Sequence, residues 1–231
     1  MGNPIEYDPN ELVKLKERCE IIFNADPSQY LTEPSIIRFL KAFKNVDDSF
    51  AAILKCNQWR KDYGVETISP TSCPEVNAEL NTGKVELLRH RDRHGRPMIM
   101  LRVRHHKVAE RNKEVLTKCM VYILESACKK CNEDVIDNVC VLFDMRKFSL
   151  ASMDYEFVKT LIWLLSTRYP ERLGVCLIIN APMVFQGCWA IIRPMLSDIT
   201  AQKVVFINDD MALANYLCPD ALPENPFEEV S

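Results

Sequence analysis

The fold is decided by residues 169–207, which run YPERLGVCLIINAPMVFQGCWAIIRPMLSDITAQKVVFI. Residues 173–179 are almost entirely apolar, and a second strand-like run, KVVFI, covers 203–207. The segment between them is long enough for a helix and carries apolar residues at helical spacing. Two buried strands joined by a helix form a right-handed βαβ unit with parallel strands. This stretch therefore predicts a parallel sheet covered by helices.

The same alternation extends upstream, and the first third of the chain is helical. Helical patterns cover 10–24, 33–43 and 47–64, and Gly64 is a candidate C-cap. A Pro- and Ser-containing stretch then marks a boundary near residue 75. We predict an α/β fold with an N-terminal helical subdomain, residues 1–75, and a mainly parallel βαβ sheet lobe, residues 76–231. The further elements predicted in the lobe are a hairpin around DRHG (92–95), helices over 112–130, 153–169 and 209–217, and a strand over 138–144.

Composition excludes several classes of protein. The 231 residues are 48% apolar and 26% charged, with a net charge of -3, so neither a disordered chain nor a nucleic-acid polycation is expected. The ten cysteines lie mostly in apolar patterns, and the N-terminus has no apolar signal region. We expect a reduced, cytoplasmic protein. The uncharged stretch 174–192 could span a membrane by length, but Asn180, Pro182 and Gln186 interrupt it.

Motifs for catalysis and metal binding are missing. The chain has no glycine-rich phosphate loop and no G-x-S-x-G or H-E-x-x-H motif, and its four histidines all lie within 89–107. Cys128 and Cys131 form a lone C-x-x-C, although a structural zinc needs two more ligands. We therefore predict no enzyme activity, no cofactor and no metal.

One segment is strongly basic. Residues 89–107 carry seven Lys or Arg against a single acid, Asp92. The simplest interpretation is a solvated hairpin in which alternate residues such as Arg102 and Arg104 face outward. The functional alternative is contact with an anionic membrane surface or headgroup. RNA is disfavoured because no aromatic residues interleave with the charges.

The ordered motifs resemble the CRAL-TRIO lipid-binding family, which includes Sec-fourteen-like phosphatidylinositol transfer proteins and tocopherol and retinaldehyde carriers. The resemblance covers about residues 33–217, and its specific part is YPERLG, followed by INAP and a lysine. The motifs that carry it are RFLKAF (38–43), WRKDYG (59–64), DRHGRPM (92–98), FDMRKFS (143–149), YPERLG (169–174), IINAPMVF (178–185) and ITAQKVVFI (199–207).

This resemblance implies a deep apolar pocket that encloses one lipid, and a gating helix over its mouth. The gate is residues 184–196, with Phe185, Trp189 and Ile192 as its central apolar residues. Such a helix can cover the pocket when closed and meet a bilayer when open; alternatively, its wide apolar face is ordinary core. The pocket wall is predicted to include Cys119, Ile123, Phe157, Leu161, Trp163, Cys176 and Ile178.

Charged residues flank the decisive βαβ unit. Glu171 precedes the first strand and Lys203 opens the second, so both should lie at the same edge of the sheet. Taken alone, they predict a surface salt bridge worth about 0–1 kcal/mol. The resemblance implies instead that Glu171, Thr200 and Lys203 bind the phosphatidylinositol headgroup, in which a lysine suits the phosphodiester and a carboxylate accepts from inositol hydroxyls.

Departures from the family pattern keep other cargoes open. Phe43 stands where the phosphatidylinositol-binding branch has an arginine, and Lys44 is the available substitute. Val139 and Val141 replace hydroxyls that contact phosphatidylcholine. We therefore expect a phospholipid carrier for phosphatidylinositol that contacts membranes transiently and peripherally. The alternatives are a carrier of a tocopherol, retinoid or sterol, and an interaction module that transfers nothing.

Overall fold

The computed structural model describes residues 7–224 and 227. Contacts divide the chain into two units, residues 1–66 with 163–172, and residues 67–162 with 173–231. The boundary near residue 75 stays a prediction about domains. The N-terminal residues 1–6, which contribute to the expectation about a signal region, lie outside the described part.

The first unit is built from three helices, each started by a side-chain cap. Asp8, Thr32 and Asn45 accept hydrogen bonds from backbone amides at the three N-termini. Gly64 ends the third helix at φ 66°, as its sequence position predicts. The helices are α1 (Pro9–Ala25), α2 (Glu33–Phe43) and α3 (Val46–Tyr63). Their apolar faces enclose a core that contains Leu15, Cys19, Ile36, Phe39, Leu40, Ile53 and Cys56.

Residues 163–172 complete this unit around an arginine. Residues Leu164–Arg168 form a π-helical turn, closed by Tyr169 N donating to Leu164 O at 2.8 Å. The guanidinium of Arg168 lies 5.2 Å from the ring of Trp59 and 4.8 Å from the ring of Trp163. The Trp59 of WRKDYG and the residues just before YPERLG therefore pack together through cation–π contacts.

The second unit contains one five-stranded sheet. Its strands are β1 (Val85–Arg91), β2 (Pro97–Arg102), β3 (Val139–Asp144), β4 (Leu173–Ile179) and β5 (Val204–Ile207). The spatial order equals the chain order, β1-β2-β3-β4-β5. The β1–β2 pair is an antiparallel hairpin, and every later pair is parallel. The predicted α/β class with a mainly parallel sheet is confirmed.

Helices connect the strands as the alternation predicts. They are α4 (Pro74–Asn81), α5 (Lys113–Lys129), α6 (Tyr155–Trp163, whose last residue belongs to the first unit), α7 (Phe185–Ile192), α8 (Asp198–Gln202) and α9 (Asp210–Ala214). Several details differ from expectation. Helix α4 occupies part of the Pro- and Ser-containing stretch that is predicted only as a boundary, and the helix predicted over 209–217 covers Asp210–Ala214. The helix predicted over 153–169 changes to a π turn after Trp163.

The two faces of the sheet are filled differently. One face forms a core in which alternate strand residues pack against the C-terminal segment, including Leu213 and Leu217. Because side chains alternate along a strand, Cys176 and Ile178 lie on the other face. In the register of the parallel β4–β5 pair, Ile178 lies beside Phe206, so Phe206 is on the same second face. No helix among the described residues is long and apolar enough to cross a membrane.

Candidate functional site

Thr200 and Lys203 lie together at the start of β5. Ser197 caps α8, with its hydroxyl 3.1 Å from Thr200 N and 2.9 Å from Thr200 Oγ1. Lys203 follows α8 directly, and its backbone N donates to Thr200 O at 3.1 Å. Lys203 O accepts from Cys176 N at 2.8 Å, which anchors this turn to β4. The hydroxyl and the ammonium predicted to bind a headgroup therefore belong to one short, hydrogen-bonded turn.

Glu171 and Lys44 belong to the other unit, and both have left-handed backbone conformations. Glu171 has φ 56° and lies two residues before β4. Lys44 has φ 69° and is the exposed C-cap of α2, where its N donates to Leu40 O at 2.9 Å. A left-handed glutamate outside a helix cap is uncommon and costs conformational energy. The joint role of Glu171, Thr200, Lys203 and Lys44 stays a prediction.

The second sheet face carries two of the predicted wall residues. Cys176 and Ile178 are buried, and burial raises the pKa of the Cys176 thiol to about 12. That thiol stays protonated and acts as a small apolar group. Beside them, Phe206 keeps 39% of its surface exposed. This face is thus apolar, and part of its aromatic surface is accessible.

The predicted gate, α7, packs on this face. The ring of Phe185 lies 6.3 Å from Phe206, and the ring of Trp189 lies 5.4 Å from it. Phe185 also meets Phe148 edge-on at 5.3 Å. Phe185 and Ile192 are buried, and the α7 segment continues as a 3₁₀ turn, Arg193–Met195. Helix α7 therefore covers β5 through an aromatic contact.

Part of the exposed surface of the α7 segment is also apolar. Met183 is 83% exposed and Ile191 is 52% exposed, and Val184 is exposed between them in sequence. Of these three, Ile191 belongs to α7, whose exposed surface also carries Gln186, and Met183 and Val184 lie just before the helix. Exposed apolar patches of this kind mark sites of contact with proteins, ligands or membranes.

The remaining predicted wall residues lie in α5 and α6. Cys119, Ile123 and Leu161 are buried, and burial raises the pKa of the Cys119 thiol to about 12. Phe157 is half-buried, with its ring stacked 5.8 Å from that of His106. Trp163 is 39% exposed and belongs to the first unit, where it contacts Trp59 and Arg168. Their part in a lipid pocket stays a prediction.

An arginine–carboxylate cluster was missed by the sequence reasoning. Arg102 and Arg104 were interpreted as outward-facing strand residues, and this is wrong, because their side chains are only 9% and 16% exposed. Arg104 Nη1 donates to the fully buried Asp144 at 2.8 Å, and Arg146 Nη2 donates to the same carboxylate at 2.7 Å. The charges of 89–107 therefore do not form one solvated face.

A weak signal for part of this cluster was present in the hairpin. Glu86 lies opposite Met100, so it is diagonal to Arg102 across the antiparallel pair, and Arg102 Nη2 donates to Glu86 at 2.8 Å. Arg104 also donates to Glu224, which is 120 residues away in the chain, and no local pattern indicates this pair. No group of side chains that could hold a metal ion occurs in the described residues.

The architecture and α7 define a class: an α/β protein whose mainly parallel sheet carries a helix with exposed apolar residues near both of its ends. The family model described as CRAL/TRIO domain matches residues 81–225. The chain belongs to the CRAL/TRIO domain family.

Curated relatives agree with this assignment. A CRAL-TRIO domain-containing protein of Schizosaccharomyces pombe is 32% identical over 192 residues, covering 80% of this chain and 43% of that protein. A phosphatidylinositol transfer protein, CSR1, of Eremothecium gossypii is 32% identical over 145 residues, covering 63% of this chain and 33% of that protein. This chain therefore spans less than half of those relatives. The SEC14 cytosolic factor of Kluyveromyces lactis is 24% identical, covering 89% of this chain and 73% of that protein.

A solved structure supports the fold. The crystal structure of Sfh5 superposes with a TM-score of 0.79 at 16% sequence identity, covering 99% of this chain and 90% of that chain. At this identity the likeness concerns the fold alone.

Proposed function

We propose that this chain binds one phospholipid, phosphatidylinositol, in an apolar site on the second face of the sheet, and transfers it between membranes. The observation that carries the proposal is that α7 packs aromatic residues on the sheet and also exposes apolar residues near both of its ends. Phe185 and Trp189 contact Phe206 on the sheet, while Val184 and Ile191 are exposed. If α7 moves away from the sheet at a bilayer, both its aromatic face and these exposed residues meet lipid rather than water.

Binding energy would come from the acyl chains. Burial of each methylene contributes about 0.8 kcal/mol, so two acyl chains supply far more than a headgroup contact. Membrane release and capture then depend on a conformational step of α7. The proposed role needs no covalent chemistry and no cofactor, and it fits a cytoplasmic protein that contacts membranes peripherally.

The headgroup assignment rests on Glu171, Thr200 and Lys203. Thr200 and Lys203 supply a hydroxyl and an ammonium from one turn, which suits a phosphodiester with neighbouring sugar hydroxyls. The left-handed conformation of Glu171 supports a functional role for this residue. The relatives named as a phosphatidylinositol transfer protein and as SEC14 cytosolic factors make phosphatidylinositol the first cargo to test.

A double variant tests this assignment. Glu171→Ala with Lys203→Ala should abolish phosphatidylinositol transfer between vesicles, because the headgroup loses its anchoring charges, while the melting temperature changes little. A matched control is Lys16→Ala with Glu33→Ala, which removes an exposed ion pair of the first unit and should leave transfer unchanged. Persistent transfer by the Glu171 and Lys203 variant would show that the headgroup site is elsewhere.

A less polar cargo is the second candidate, and one observation favours it. Phe43, which stands at the family's arginine position, stacks on Phe39 with ring centroids 6.2 Å apart, so an aromatic pair occupies that position. Native mass spectrometry of the purified protein, followed by lipid extraction, separates the candidates. Bound phosphatidylinositol supports the first, and a bound tocopherol, retinoid or sterol supports the second. A protein that is empty and takes no lipid from mixed vesicles would indicate an interaction module.

A further inference from the structure

Three arginine side chains converge on one carboxylate oxygen at the carboxyl ends of β2 and β3. Glu224 Oε1 lies 3.1 Å from Arg146 Nη2 and 3.6 Å from Arg102 Nε, and it also accepts from Arg104 Nη2. The hydrogen bond from Arg104 and the positive charges nearby hold the pKa of Glu224 below its ordinary value. A single oxygen surrounded by three guanidinium groups is the arrangement that proteins use to bind phosphate.

The arginines are held in place without Glu224. Asp144, which is fully buried and ends β3, binds Arg104 and Arg146. Arg102 is held by Glu86 at 2.8 Å and by Gly83 O at 3.2 Å. Glu224 is therefore not needed to fix the geometry of the three donors. Without Glu224, the three cations would face, among the described residues, Asp144 and Glu86, which leaves an excess of positive charge.

Glu224 is the exchangeable member of the cluster. Its side chain is 36% exposed, whereas the side chains of Arg102 and Arg146 are 9% and 11% exposed and Asp144 is fully buried. Rotation of this side chain would withdraw its oxygen from all three donors. The cluster also lies where ligands of open parallel sheets commonly bind, beyond the carboxyl ends of the strands.

We propose that Arg102, Arg104 and Arg146 form a binding site for a phosphate monoester, and that Glu224 occupies this site as an internal substitute for the phosphate. A phosphate monoester offers three terminal oxygens and up to two charges, whereas Glu224 offers one oxygen to the same donors. The site is separate from Thr200 and Lys203, which lie at the amino end of β5 and hence near the opposite ends of the parallel strands. A test of the phosphate site is therefore independent of which lipid the protein carries.

Such a phosphate has two sources, a soluble inositol phosphate or the headgroup of a phosphorylated lipid. The probes are inositol hexakisphosphate, titrated calorimetrically against the full chain, and phosphatidylcholine vesicles with and without phosphatidylinositol 4-phosphate, tested by co-sedimentation. Glu224→Gln should raise the affinity for inositol hexakisphosphate by about tenfold, because the competing carboxylate is gone. Enhanced binding to the soluble probe alone assigns a soluble ligand, and enhanced binding to phosphorylated vesicles as well assigns a lipid.

Glu156→Gln is the matched control. It removes one negative charge that faces an arginine, as Glu224→Gln does, but its partners Arg111 and Lys113 lie outside the three-arginine cluster. We expect this variant to change the affinity for inositol hexakisphosphate little. Equal gains from Glu156→Gln and Glu224→Gln would reduce the effect to general charge and overturn the proposal, as would no gain from Glu224→Gln.

Arg102→Gln gives a second measurement. Arg102 does not bind Asp144, so this variant keeps both partners of the buried carboxylate and should fold, which urea unfolding verifies. Added to Glu224→Gln, it should cancel most of the tenfold gain. If the gain persists without Arg102, the three-arginine site is wrong.

Discussion

At the scale of single residues, Gly174 shows why YPERLG ends in glycine. A Cβ atom placed on Gly174 would overlap the Asn138 carboxamide and the Arg96 side chain. These two side chains are hydrogen-bonded to each other at 2.9 Å, and Arg96 pairs with Asp92, whose side chain is fully buried. The φ of Gly174 is not positive, so its backbone conformation does not require glycine. Glycine is required because the Asn138 and Arg96 side chains approach its Cα closely.

Gly174→Ala should therefore lower the free energy of unfolding by about 1–3 kcal/mol, because Arg96 must move away from Asp92. Urea unfolding measures this change. Gly187→Ala is the control, since a Cβ there meets nothing within 4 Å. Gly187 lies within α7, so alanine should stabilise the protein by up to about 1 kcal/mol. If Gly174→Ala leaves the free energy of unfolding unchanged, the contact with Arg96 does not restrict residue 174 to glycine.

At the scale of elements, α6 begins at a titratable cluster. Asp154 accepts from Phe157 N at 3.0 Å and lies 3.1 Å from His106 Nε2. Burial lowers the pKa of His106, and this outweighs the hydrogen bond to Asp154, which acts in the opposite direction. The positive charges of Lys84 and Arg111 lower it further. Burial would raise the pKa of Asp154, but the bonds from Phe157, His106 and Arg111 hold it below its ordinary value.

These shifts predict a loss of stability in acid. As the pH falls through 6.5, the ordinary pKa of histidine, His106 takes up a proton in the unfolded chain at a higher pH than in the folded protein. The unfolded state then binds more protons, so the free energy of unfolding decreases as the pH decreases. The slope from one such group is at most about 1.4 kcal/mol per pH unit. Asp154 adds to the loss only below its ordinary value of 3.8.

His106→Gln should flatten the stability profile between pH 7 and about pH 5, as measured by urea unfolding at each pH. Asn77→Gln, at an exposed position without a titratable group, is the comparison and should retain the wild-type slope. An unchanged slope in His106→Gln would show that His106 titrates alike in both states.

Helix α7 gives the second prediction at this scale. Ile191→Ser should weaken binding to vesicles by roughly tenfold, because burial of an exposed isoleucine in lipid contributes about 1.5–3 kcal/mol. Its stability should change little, since Ile191 is half-exposed. Val135→Ser alters a smaller but more exposed apolar residue outside α7 and should leave vesicle binding unchanged. Equal losses from both variants would indicate nonspecific adsorption.

At the scale of the whole molecule, the sequence predicts those elements that are determined by residues close together in the chain. The strand LGVCLII has the same limits in the sequence and in the structure, because both of its faces are buried and turns bound it. Gly64 was predictable as a C-cap because it directly follows a helical pattern, and glycine readily adopts the left-handed conformation at that position. Helix α4 was missed because Cys73 provides no side-chain cap and the surrounding proline and serine residues resemble a turn.

Long-range electrostatics were not predictable in the same way. The alternation rule turns Arg102 outward, yet burial of Arg102 and Arg104 is stabilised by carboxylates that the fold supplies from β3 and from residue 224. Thr200 was selected through the family resemblance, and its position in one turn with Lys203 is a feature of the structure, whereas the headgroup role of both residues stays a prediction. Glu171 was matched through its motif, and its left-handed backbone has no signature in the sequence.

The sheet order β1-β2-β3-β4-β5 has a consequence for biosynthesis. Each strand pairs with the strand made just before it, so the nascent sheet can grow at one edge as the chain leaves the ribosome. No early strand has to wait with its inner edge open for a partner that is synthesised much later. The last strand has only four residues, so growth stops at a short edge that offers little template for another chain.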